Sequence, residues 1–90
     1  MPGLILKATF DLLKSYPVLI PYNALPLALY KSVNIQNIIH NPVQTCNKQF
    51  YFVSSLSMFR DEDFYNNIAS EIRGRDMYGD IIIYKKDMMN

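Results

Sequence analysis

The sequence predicts an α/β domain: a small parallel or mixed sheet with helices packed on it and one βαβ unit as its best-defined part. Three observations predict it. Strands are expected near 49–54 and 79–84, where Gln49-Phe50-Tyr51-Phe52-Val53 and Ile81-Ile82-Ile83 are short apolar runs of aromatic and β-branched residues. Between them, 61–73 carries apolar residues at helical spacing behind an acidic start. The chain has 90 residues, half of them apolar, enough for one small core and no more. It divides into an apolar helical and extended part, 1–47, and a βαβ part, 48–87.

The amino-terminal part starts with a helix predicted over Leu4–Tyr16. Ile5, Ala8, Leu12 and Tyr16 form one apolar stripe, with Leu6, Phe10 and Leu13 beside it. Lys7, Asp11 and Lys14 share the opposite face at spacings that allow weak ion pairs. Pro17 ends the helix, because the residue before a proline is driven out of helical backbone. Ser15–Tyr30 has no charged side chain, yet it is shorter than the roughly 20 residues a membrane span needs. Its three prolines would also break helix hydrogen bonds that hydrocarbon cannot replace. A membrane segment is not expected, and the charged run containing Asp11 fits a signal peptide poorly. Val18-Leu19-Ile20 reads as an extended piece available as a third strand. A second helix is predicted over Ala24–His40, weakened by Val33, Ile35, Ile38 and Ile39, with a break near 32–34. Asn41–Asn47 reads as a linker.

In the second part, Phe50 and Phe52 alternate with Tyr51 and Val53, so the first strand is apolar on both faces and suits a covered sheet. Asp61 is a favourable N-cap, and Glu62 and Asp63 place negative charge at the positive end of the helix dipole. Phe64, Ile68 and Ile72, flanked by Tyr65 and Ala69, form the buried stripe. Gly74 falls where a left-handed C-cap is expected, between Arg73 and Arg75. The unbroken run Ile81–Ile83 fits an interior parallel strand, and Lys85 and Lys86 are expected to leave the sheet.

Charge and cysteine content exclude more than they identify. Up to Phe59 four lysines face Asp11, a balance of +3; from Arg60 onward five basic residues face seven acids, a balance of −2. Neither half is a clustered positive face of the kind that binds nucleic acid. Cys46 is the single cysteine, so no internal disulfide forms, and with His40 it is two ligands short of a zinc site. One thiol leaves a reduced cytosol and an oxidising lumen both open.

The candidates for chemistry each have a plainer structural reading. Asp61 and Asp63 form an Asp-x-Asp pair of the kind that holds a divalent metal, yet helix capping accounts for them at a helix start. Ser54, Ser55 and Ser57 follow the first strand where open α/β sheets bind ligands, but without a glycine-rich turn to bring backbone amides to a phosphate. His40 and Cys46 lack a third, orienting group. Arg73 and Arg75 read as a charged helix end, and Tyr51, Tyr65, Tyr78 and Tyr84 as core or interface aromatics.

Residues 48–87 resemble one stretch of the β-1,3-galactosyltransferase-like, fringe-related glycosyltransferases. Phe50-Tyr51-Phe52-Val53 matches that family's aromatic strand, Glu71 its helix glutamate, and Tyr78-Gly79-Asp80-Ile81-Ile82 its second strand opening. The likeness covers under half of the chain. The family's tryptophan motif has no counterpart here, and Lys85 and Lys86 stand where acidic residues follow the strand. The resemblance implies a truncated or divergent nucleotide-sugar-binding portion, not catalytic alone, with Ser54, Ser55 and Asp80 as cofactor-binding candidates. It also implies a UDP-sugar donor, manganese and a secretory-pathway lumen. The alternative expectation is a non-enzymatic α/β interaction subunit, cytoplasmic, whose apolar half docks on a protein partner or the remainder of a larger domain.

Overall fold

The computed structural model describes residues 2–25, 29–31, 44–54 and 60–88. Helix α1 (Pro2–Leu13) leads into strand β1 (Val18–Ile20), followed by β2 (Tyr30–Lys31), β3 (Gln44–Cys46) and β4 (Phe50–Ser54). A single 3-10 turn (Glu62–Phe64) precedes helix α2 (Asn67–Arg73), and β5 (Ile81–Lys85) runs into a final 3-10 turn (Lys86–Met88). The five strands form one sheet in the order β2-β1-β5-β4-β3. The α/β class holds, and Val18–Ile20 does join the sheet.

The direction of the strands corrects the expected architecture. Every pairing is antiparallel, with Phe50 opposite Lys85 and Ser54 opposite Ile81 between β4 and β5. Among the described residues, neither the parallel or mixed sheet nor the βαβ unit forms. The reason lies in the connection. A parallel crossover must carry the chain back along the length of the sheet before the next strand begins. Here the connection returns to the end it left. Tyr65 bridges Tyr78, the Gly79 amide donates to the Phe64 carbonyl at 2.7 Å, and the Asn66 amide donates to the Met77 carbonyl at 2.9 Å. Helix α2 is a loop held at its base by this short ladder. Gly79 has φ +79° there, a backbone region that glycine enters without steric cost.

The predicted helix 61–73 is therefore two elements. Asp61 caps only the 3-10 turn, its carboxylate accepting from the Asp63 amide at 2.9 Å. The chain then extends through Tyr65 and restarts as a helix capped by Asn66. Gly74 ends it in the left-handed conformation, φ +79°, as the sequence predicts. The remaining boundaries shift for local reasons. Helix α1 begins at Pro2 and ends at Leu13, and the chain turns through Lys14–Tyr16 before Pro17. Tyr30–Lys31 is a strand paired with β1, not part of a helix over Ala24–His40, most of which lies outside the described residues along with the expected break at 32–34. The linker reading of Asn41–Asn47 gives way to β3, joined to β4 by a turn in which the Asn47 side chain accepts from the Gln49 and Phe50 amides. Lys85 stays in the sheet as the last residue of β5.

Alternation across the strands sorts the core into two layers. Val18, Ile20, Phe50, Phe52, Ile81 and Ile83 face the helices, where Leu13, Ile68, Ala69 and Met77 complete the main cluster. Val53 and Tyr84 lie buried on the opposite face beside Tyr51, Ile82 and Met88. Tyr51 and Tyr84, direct partners in register, stack at 5.3 Å. The both-faces-apolar reading of β4 thus holds, although on a strand of opposite direction. On α1 the stripe is rotated from the predicted one: Thr9 is fully buried with its hydroxyl donating to the Ile5 carbonyl at 2.8 Å, while Ala8 and Phe10 are exposed.

Candidate functional site

β4 and β5, five residues each and antiparallel, bring their ends together at the two ends of the sheet, and most of the charged residues fall at one end or the other. One end is reached where β5 finishes, beside the β3–β4 turn: Lys85 lies opposite Phe50, and the Lys86 amide donates to the Gln49 carbonyl at 3.2 Å. Lys48 is in that turn, against an open recess of about 240 Å³ lined by Asn47, Lys48 and Gln49. Lys31, opposite Val18, sits 5.4 Å over the Tyr16 ring, and Lys86 sits 5.5 Å over Tyr51. Both are cation–π arrangements. Lys14 completes this group and pairs with Asp11 at 3.5 Å.

The other end, where β4 finishes and β5 begins, holds most of the carboxylates and the sequence-predicted site. Ser54 and Asp80 are brought to the same end, but their side chains secure the fold. The Ser54 hydroxyl donates to the Tyr78 carbonyl at 3.2 Å, and Asp80 Oδ1 accepts from the Tyr22 amide at 3.1 Å. Ser55 lies outside the described residues, as does His40. Asp61 and Asp63 are joined by the capping bond in the 3-10 turn. Next to them the Tyr78 hydroxyl donates to Glu62 at 3.3 Å, and the Tyr65 hydroxyl donates to Asp76 at 3.4 Å. The two rings meet edge to face at 5.5 Å. Desolvation raises the Tyr78 hydroxyl above its ordinary value of 10.0, and the Glu62 and Asp76 carboxylates push it the same way. Arg73 lies 5.6 Å over the Phe52 ring, and Arg75 is exposed just past the Gly74 cap. Cys46 ends β3 opposite Tyr51.

Two residues organise this end, and the sequence reading missed both. Asn66 is 1% exposed. Its amide nitrogen donates to the Ile20 carbonyl at 2.8 Å and to the Gly79 carbonyl at 2.9 Å, while its oxygen accepts from the Ala69 amide at 3.0 Å. One side chain therefore joins β1, the start of β5 and the first turn of α2. Ser70, also buried, accepts from the Met77 amide at 2.8 Å and donates to the Met77 carbonyl at 3.3 Å. The available sequence signal was the adjacent Asn66-Asn67 pair, since asparagine disfavours helix interiors and favours caps.

Among the described residues, no group of three or more His, Cys, Asp or Glu side chains is placed to hold a metal ion, and no helix is long and apolar enough to cross a membrane. Comparison of the chain with protein-family models, with curated proteins and with solved structures finds no match in any of the three.

Proposed function

We propose that the chain is a non-enzymatic α/β interaction subunit. The observation that carries this reading is the flank of the sheet around β2. Tyr30 lies on β2, outermost among the described residues, and Tyr16 and Leu25 flank β1, the strand it pairs with; the three are 54%, 44% and 75% exposed. Large apolar side chains exposed along a sheet edge mark contact surfaces, because monomers tend to cover or charge such edges. The same reading accounts for Ser54, Asp80 and Asp61, whose side chains are engaged in holding backbone.

Two measurements on the purified chain test it. A UDP-sugar with manganese at millimolar concentration leaves the melting temperature unchanged; a rise of several degrees, as mass action requires for a bound ligand, moves the assignment to a nucleotide-sugar-binding portion. In about 0.5 M salt, where charge attraction is screened, the wild-type chain associates or precipitates without a partner. A Leu25→Ser, Tyr30→Ser variant stays dispersed. A wild-type chain that remains a clean monomer under those conditions contradicts the reading.

A further inference from the structure

The interaction reading gains a specific partner from the distribution of charge. All of the Lys, Arg, Asp and Glu side chains in the sequence fall within the described residues, so the charge map lacks only His40 and the chain termini. Lys14, Lys48, Lys85 and Lys86 gather at one end of the sheet against Asp11 and Asp87, while Lys31 pairs level with the middle of β5, Lys7 lies on α1, and Glu71 and Arg73 lie on α2. Asp61, Glu62, Asp63, Asp76 and Asp80 gather at the other end or on the ladder below it, against Arg60 and Arg75. The ends are separated by β5, five residues at ~3.3 Å each. That separation, roughly 15 Å, exceeds the Debye length of about 8 Å at physiological salt, so neither end neutralises the other through solvent.

Each charged end also presents rings. Phe10 and Tyr16 are exposed beside the lysines, and Phe64, Tyr65 and Tyr78 are half-buried beside the carboxylates. Charge without apolar contact steers encounter but adds little affinity, whereas charge surrounding aromatic anchors does both. We infer that the partner is a second copy of this chain, with the lysine end of one molecule docked on the carboxylate end of the next. This deepens the interaction-subunit reading and rests on it. The two surfaces differ, so the contact is heterologous and repeats: a docked copy leaves one end of each sign unsatisfied. The product is an open chain of subunits unless the rotation between copies closes a ring.

The inference is tested by sedimentation of the full chain in low and high salt. At ~20 mM salt the average mass rises with concentration past the dimer. The salt-sensitive part of that mass is lost by ~0.5 M. Lys48→Glu with Lys86→Glu makes both ends acidic, and Glu62→Lys with Asp63→Lys makes both ends basic. Each double variant alone loses the salt-sensitive part of the association, and mixing the two restores it at one-to-one stoichiometry. Asp61 is left in place so that its cap survives, and circular dichroism checks that each variant is folded. If a variant unfolds, the wild-type salt series still decides. A wild-type mass equal at both salts, or no recovery when folded variants are mixed, overturns the inference. Low-salt binding of the wild type to a polyanion such as heparin, with no self-association, also overturns it and assigns the lysine end to a polyanionic partner. The association at 0.5 M salt that tests the parent reading does not depend on any of these results.

Discussion

The two ends of the sheet are built differently. At the carboxylate end the backbone is fastened by side chains: Asn66 joins three elements, Ser70 holds both polar groups of Met77, and Ser54 and Asp80 each bind a neighbouring segment. At the lysine end the backbone is closed by a hairpin turn around Asn47, and the charged tips lie outside the ladder over Tyr16 and Tyr51. The contrast separates two uses of polar residues. Buried ones with complete hydrogen bonding specify the fold, and an exposed one such as Lys48 adds little to it.

The largest expected effect breaks the fastened end. Asn66→Ala removes the α2 cap and leaves the Ile20 and Gly79 carbonyls short of a donor, a loss of about 2–4 kcal/mol read from urea unfolding. Ser70→Ala strands the buried Met77 amide and costs about 1–2 kcal/mol by the same measurement. Asp61→Ala removes a cap of similar chemistry but exposed to water, and costs only about 0.5–1 kcal/mol. That pair isolates burial from residue type. The carboxylate end also has an alkaline signature. Because the fold raises the Tyr78 hydroxyl, the unfolded chain loses that proton first, and stability falls as pH climbs through 10.0. Glu62→Gln brings the Tyr78 titration, followed by ultraviolet absorbance, down toward that value. The smallest effect on stability belongs to the lysine end, where Lys48→Glu changes unfolding by less than about 0.5 kcal/mol.

How much of this was legible depended on whether the signal was local. Gly74 was readable because a left-handed cap needs a residue without a Cβ, whatever surrounds it. The strands at Phe50–Ser54 and Ile81–Lys85 were readable from composition, and their direction was not. A strand buried on both faces shows the same unbroken apolar run whether its neighbour is parallel or antiparallel. Direction was set by the Tyr65–Tyr78 bridge and the ladder around it, contacts between residues far apart in sequence. Asn66 escaped for the same reason, since its bond to Ile20 spans 46 positions. The acidic run at Asp61–Asp63 drew attention to itself as a helix start and turned out to cap one 3-10 turn. Strand β2 is two residues long, too short for an alternating pattern to register. Thr9 was lost because a hydroxyl that donates to the preceding turn of its own helix can be buried as readily as an alanine.

The most direct check is urea unfolding of Asn66→Ala beside Lys48→Glu, Lys86→Glu, at concentrations low enough that every chain is monomeric. The account predicts a midpoint well below wild type for the first variant and an unchanged midpoint for the second. Equal losses in both, or a stable Asn66→Ala beside an unfolded lysine variant, would contradict the division of the molecule into an end fastened by buried side chains and an end closed by a turn.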